Sequence, residues 1–228
     1  MISIARAITT GAYGLEPLRI RIPEGATTRS MAKLYAAQLQ RFDAEKFLKK
    51  AQSDEGFLFP DTYFFLPNAT EDTVITAMRQ NFDSHIETLV GDITKSGRPL
   101  RDIVIMASIL EKEAHNYTDR QMIAGVLWRR IKIGMALQVD AAFLYSLGYT
   151  TFDLTKADLA NKDDPYNTYA HKGLPPGAIG SPSMSSMKAA VNPIDRGYLF
   201  YLADSTHTTH YSKTYEEHLR LKALYLGT

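Results

Sequence analysis

Apolar and polar positions first alternate at Leu18–Ile22, where Leu18, Ile20 and Ile22 are separated by Arg19 and Arg21. That period of two predicts a short, half-buried strand. Pro23-Glu24-Gly25 marks a turn, and Thr27 or Thr28 stands where the next helix needs a cap. Met31, Leu34, Tyr35 and Leu39 follow at the spacing of an amphipathic helix. A second short helix is predicted over Ala44–Ala51, stopped by the polar stretch Gln52–Gly56. Phe57–Leu66 is aromatic-rich and reads as a strand interrupted at Pro60-Asp61. Helices are predicted over Thr70–Val90, Arg101–His115 and Thr118–Ile133, with a loop at Gly91–Pro99. The third of these carries Ile123, Val126, Leu127, Arg130 and Ile131 on or near one face. From about Asp163 the chain is rich in Pro, Gly and Asn, the composition of a functional surface loop or a linker. Ser186–Val191 then predicts a short helix and Tyr198–Ala203 a strand. The tail Thr214–Leu226 reads as a helix, with Thr214 and Glu217 in a capping-box pattern. Helices and strands mix without regular alternation, so the expected class is α+β.

Composition narrows the function only by exclusion. With 228 residues, 45% hydrophobic and 22% charged, the chain can bury a sizeable core as one domain or two small lobes. A formal net charge of +1 argues against nucleic-acid binding through a general basic field. The absence of cysteine excludes disulfides, thiolate metal sites and thiol nucleophiles. No run of about 18 apolar residues spans a bilayer, and Met1–Gly14 lacks the pattern of a signal peptide.

The chemistry concentrates in Ala107-Ser108-Ile109-Leu110-Glu111-Lys112-Glu113. At about 100° per residue, Glu111 falls within about 60° of Val104, Ala107 and Ser108, so it shares the apolar stripe of its helix. Desolvation there would keep it protonated near neutrality, as a general acid requires. The alternative on spacing alone is a structural glutamate paired with Arg129 or Arg130 on the next helix. Glu113 points about 200° away from Glu111 and, with Lys112, reads as a solvated face. His207 and His210, with His218 as a third candidate, lack any metal-binding framework, and Ser108 lacks a triad. Gly173–Gly180 lacks the spacing of a phosphate loop, while Tyr166 and Tyr169 in the irregular loop are candidates to stack on sugar rings.

Several ordered motifs together resemble the MltG (YceG-like) family of endolytic murein transglycosylases. Ala107–Glu113 resembles the family's A-S-I-[IVL]-E-K-E, and Met135–Asp140 its M-x-L-Q-x-D. Tyr166-Asn167-Thr168-Tyr169, followed by Gly173–Ile179, resembles YNTY…GLPPGxI. Phe59–Tyr63, Lys188–Pro193 and Tyr211–His218 are similar to further family segments, so the likeness runs from about Ile20 to Leu221. Ile20–Tyr35 also resembles part of a LysM-like peptidoglycan-binding unit. The chain departs from the family pattern at Arg129-Arg130, where the family has Asn-Arg, and at Ala141-Ala142, where it has Pro-Thr.

The resemblance implies a partial LysM-like lobe over residues 1–56 and a YceG-like catalytic domain over 57–228. It also implies an enzyme that cleaves the β-1,4 bond between N-acetylmuramic acid and N-acetylglucosamine in peptidoglycan, leaving a 1,6-anhydro end and so trimming or terminating nascent strands. Glu111 is the expected acid/base, and Gln138, Asp140, Tyr166, Asn167 and Tyr169 the expected substrate contacts. No metal or organic cofactor is expected. The expected partners are glycan strands and the cell-wall synthesis machinery. The expected place is the periplasmic face of the bacterial inner membrane, with the family's single-pass anchor upstream. A muramidase hydrolysing the same bond, with Asp140, Asp163 or Asp164 as the second carboxylate, and a non-catalytic glycan-binding scaffold are the alternatives.

Overall fold

The computed structural model describes residues 16–148 and 155–227; the stretch read as lacking a signal peptide lies outside the described residues. Strand β1 (Leu18–Arg21) pairs antiparallel with β2 (Thr62–Phe65), Ile20 standing opposite Tyr63. Between them lie α1 (Thr28–Ala36) and α2 (Ala44–Lys50). Thr27 caps α1 by accepting from the Ser30 amide, and Asp43 caps α2 through Glu45 and Lys46. The alternation in β1 works as expected: Ile20 and Ile22 are buried while Arg19 and Arg21 face outward.

Two apolar cores result. The first gathers Ile20, Met31, Tyr35, Phe47 and Leu58 with Phe65, Val74 and Met78. Tyr35 packs at its centre against Phe42, Phe47 and Phe65, and its hydroxyl meets Met78 Sδ at 3.1 Å. The expected boundary at 56/57 therefore cuts through this core, because β2 and the start of α3 (Glu71–Glu87) lie beyond it. Helix α3 serves both cores, placing Val74 and Met78 in the first and Phe82 in the second.

The second core is built around α5 (Leu100–Glu113), which is buried continuously from Ile103 to Leu110. It packs against α6 (Tyr117–Lys132) and α9 (Met184–Val191). The expected loop at Gly91–Pro99 is instead largely a helix, α4 (Val90–Ser96), closed by Gly97 in the left-handed conformation. At Gly125 a β-carbon would stand 2.1 Å from the Ile194 carbonyl oxygen, so glycine is what lets the chain after α9 cross α6. Short helices α7 (Asp140–Leu147) and α8 (Lys156–Ala160) precede the irregular loop. Strands β3 (Phe200–Ala203) and β4 (Thr209–Ser212) form a hairpin, and α10 (Tyr215–Leu226) follows with the capping box its sequence announces. The mixture of helices and small antiparallel sheets is α+β. Among the described residues no helix is long and apolar enough to cross a membrane.

Candidate active site

The two glutamates of α5 leave the helix on opposite sides: the Glu111 side chain is buried, as its helix face predicts, whereas Glu113 does not stand on a solvated face. Glu111 is 6% exposed and tied down at both oxygens. Its Oε1 accepts from Arg120 Nη2 at 2.8 Å. Its Oε2 accepts from the Ser183 amide at 2.8 Å, Ser183 Oγ at 2.5 Å and Ser186 Oγ at 2.7 Å. Ser183 is also the N-cap of α9, so Glu111 fastens α5 to α6 and to the start of α9. This is the structural, ion-paired arrangement, with Arg120 in place of the expected Arg129 or Arg130. Arg120 stands in the first turns of α6, beside the end of α5, whereas Arg129 pairs with Asp195 and Arg130 binds carbonyls.

Glu113, expected on a solvated face, is the last residue of α5 and is half-buried in the wall of a cleft of about 870 Å³. The β3–β4 hairpin and α10 supply other walls of the cleft through Phe200, Tyr201, Leu202, Tyr215 and His218. Tyr201 of β3 donates its hydroxyl to Glu113 Oε2 at 2.8 Å. Burial pushes the Glu113 carboxyl up to about 7; the Tyr201 hydrogen bond opposes the rise and the negative charge of Asp140 adds to it. A carboxylic acid that titrates near neutrality can give a proton and take it back.

Gln138, Asp140 and Tyr169, three of the expected substrate contacts, line the same cleft as Glu113. Gln138 is exposed and holds φ at 52°, a left-handed conformation rare for a side-chain-bearing residue. It is held there because its amide donates to the Thr168 carbonyl at 3.0 Å, while Thr168 Oγ1 accepts from the Val139 amide at 2.9 Å and donates to the Val139 carbonyl at 3.0 Å. The loop carrying Tyr169 thus latches the loop carrying Gln138 and Asp140. Asp140 opens α7 and accepts a hydrogen bond from the Tyr169 hydroxyl.

Two expected contacts lie elsewhere. Asn167 is fully buried, its amide nitrogen donating to the carbonyls of Asp158, Leu159 and Asn161 and its oxygen accepting from the Tyr169 and Ala170 amides. It knits the loop together and has no group left for a ligand. Tyr166 lines a second cavity, its ring centroid 5.3 Å from that of Tyr145.

Arg130, Tyr201 and His218 also stand in the cleft wall, none of them among the expected substrate contacts. Arg130 is 5% exposed, donates to the Leu199 carbonyl at 2.7 Å and the Leu137 carbonyl at 2.6 Å, and lies 5.2 Å over the Phe200 ring. An arginine on the apolar face of α6 was the available signal for it. His218 stacks on Phe200, and burial with the neighbouring Arg130 and Lys222 charges pushes its pKa down. The other candidate histidines go separate ways, His207 against His115 and His210 onto Asp204 at 2.7 Å. Ser108 positions the Gly173–Ile179 loop by accepting from the Ile179 amide at 3.0 Å.

The YceG-like family model matches residues 1–223. The chain belongs to the YceG-like family. It is 32% identical over 99% of its length to a Bacillus subtilis protein named endolytic murein transglycosylase, and spans 70% of that protein. It is 30% identical over 88% of its length to the Streptococcus pneumoniae protein of the same name, of which it spans 43%. A crystal structure of a YceG-like protein from Listeria monocytogenes superposes with a TM-score of 0.83 at 33% identity, covering 96% of this chain and 80% of that one. The YceG-like likeness thus extends through the N-terminal lobe as well as the cleft.

Proposed function

We propose that this chain is an endolytic murein transglycosylase in which Glu113 is the acid/base. The observation that carries the assignment is the Glu113 carboxyl standing in the cleft wall with its pKa pushed up to about 7. Protonated, Glu113 gives its proton to the glycosidic oxygen between N-acetylmuramic acid and N-acetylglucosamine as that bond breaks. The carboxylate then removes the proton from the muramic C6 hydroxyl, whose oxygen closes onto C1 to form the 1,6-anhydro ring. One carboxyl group thus serves both steps. Positive charge developing at C1 is met by Asp140, whose carboxyl is oriented by Tyr169. Gln138, exposed on a strained backbone, faces the substrate's polar groups. The scheme calls for neither metal nor cofactor.

Glu111, the residue expected from its helix face, takes a positioning role in this reading because its oxygens are already engaged. The N-terminal lobe joins the cleft at Thr27 and, in its LysM-like reading, grips the same glycan strand. The reading extends to nascent strands near the cell-wall synthesis machinery, with a membrane anchor upstream. Purified Glu113→Gln protein should remain folded and lose release of anhydro-muropeptides; undiminished release would remove Glu113 from the role.

The presence of Asp140 in the same cleft favours one second reading, a muramidase in which it activates water. Reducing-end products without anhydro sugars would establish that reaction instead.

A further inference from the structure

The second cavity, of about 550 Å³, lies where the first lobe, α5 and the Tyr166–Ala178 loop meet. That volume is within the range that holds small ligands, and junctions between lobes are where such sites concentrate. Tyr145 lines both this cavity and the Glu113 cleft, so the two spaces are neighbours. Its hydroxyl is fixed by Glu55 Oε2 at 3.0 Å, and its ring packs against Tyr166. Tyr166 brings a second aromatic ring into the cavity wall. Paired aromatic rings beside polar groups suit a sugar, which has apolar faces and a hydroxyl rim.

The charges select among sugars. Glu55 is consumed by Tyr145 and by the Thr28 amide and hydroxyl, at 3.1 and 2.8 Å. Asp54 is paired with Arg79 at 2.9 Å, and Arg79 lies 4.8 Å over Phe57. Arg101 is exposed, donates to the Pro176 carbonyl, and has no carboxylate partner among the described residues. The cavity therefore presents aromatic rings, one ion-paired acid, the hydrogen-bonded Glu55 carboxyl and, in Arg101, a cation without a carboxylate partner among the described residues.

We propose that this cavity is a second glycan subsite, which takes a muramic unit through its carboxylate, with Arg101 as the anion partner and Tyr145 and Tyr166 as the platform. The inference rests on the glycan-cleaving reading and adds to it a substrate feature, a negative charge carried on the strand away from the bond that breaks. That carboxylate has two sources, the free lactyl group of a peptide-free strand or the peptide stem.

The test uses the full chain with Glu113→Gln, so that ligands stay intact, and calorimetric titration with three probes. These are a peptide-bearing muropeptide tetrasaccharide, the same strand stripped of its peptides, and chitotetraose, which has no carboxylate. Adding Arg101→Ala should lower the preference for a carboxylate-bearing probe over chitotetraose about tenfold, the scale of one charge-assisted pair. Arg101→Lys should restore part of it. Loss confined to the peptide-bearing probe identifies the stem as the source, loss confined to the stripped strand identifies the free lactyl group, and loss in both shows that the subsite takes either carboxylate. Equal weakening of all three probes, or none, overturns the subsite while leaving the catalytic reading intact. Binding of no probe by Glu113→Gln protein, together with an inactive wild type, overturns both.

Discussion

Replacing Glu113 with Gln should change how stability depends on pH, independently of any effect on catalysis. In the unfolded chain Glu113 titrates near its ordinary value of 4.5, and in the folded chain at about 7. Between those values the native state holds a proton that the unfolded state has released, so stability falls as pH rises through the window. The stabilising effect of that bound proton is complete below 4.5 and gone above 7. At 1.36 kcal/mol per unit, the interval sets a loss of at most about 3 kcal/mol. Because Glu113 opens onto the cleft, solvent screening reduces the expected value to about 1–3 kcal/mol. Glutamine keeps a carbonyl oxygen for the Tyr201 hydroxyl but has no proton to lose. Urea unfolding of wild type and Glu113→Gln at pH 5 and pH 8 isolates the effect, since all other titrating groups are common to both. The variant should gain about 1–3 kcal/mol on wild type between the two pH values. Parallel pH dependence in the two proteins would refute the elevated Glu113 pKa and the acid/base argument built on it.

Three further outcomes follow from the same geometry. Glu111→Gln leaves Arg120 without its buried counter-charge and should cost about 3–5 kcal/mol in chemical unfolding; a cost below 1 kcal/mol would show that the cluster is not a structural tie. Tyr201→Phe removes the hydrogen bond that favours ionised Glu113 and should move the basic limb of the kcat–pH profile up by about one unit, whereas an unmoved limb would separate Tyr201 from the reacting group. Gly125→Ala drives a methyl group into the Ile194 carbonyl and should destabilise by about 1–3 kcal/mol, read as a lower melting temperature; no change would mean the crossing of α6 tolerates a side chain.

Local pattern announced the elements whose signal lies within a few residues. Alternation around Arg19 and Arg21 located β1, and Thr214 with Glu217 located the start of α10. Helices α4, α7 and α8 have at most eight residues, so they show little helical period, and unlike α2 and α9 they are not picked out by the pattern. The site divided in the same way. Glu111 and Glu113 lie on opposite sides of α5, as their helical phase predicts, but helical phase says nothing about what covers each side. Residues about 90 positions further on, in β3, turn the polar side into a cleft wall, while Ser183 and Ser186 fill the apolar side with hydrogen-bond donors. Asn167 shows the same limit: an amide in a polar loop looks available until the backbone folds around it.

Which glutamate handles the proton decides the mechanism. Intact glycan strands incubated with wild type, Glu113→Gln and Glu111→Gln, with products resolved by mass spectrometry, decide it directly. The geometry predicts anhydro-muropeptides from wild type, none from folded Glu113→Gln, and residual release from whatever fraction of Glu111→Gln remains folded. Anhydro products from Glu113→Gln at the wild-type rate, with none from folded Glu111→Gln, would return the acid/base role to Glu111.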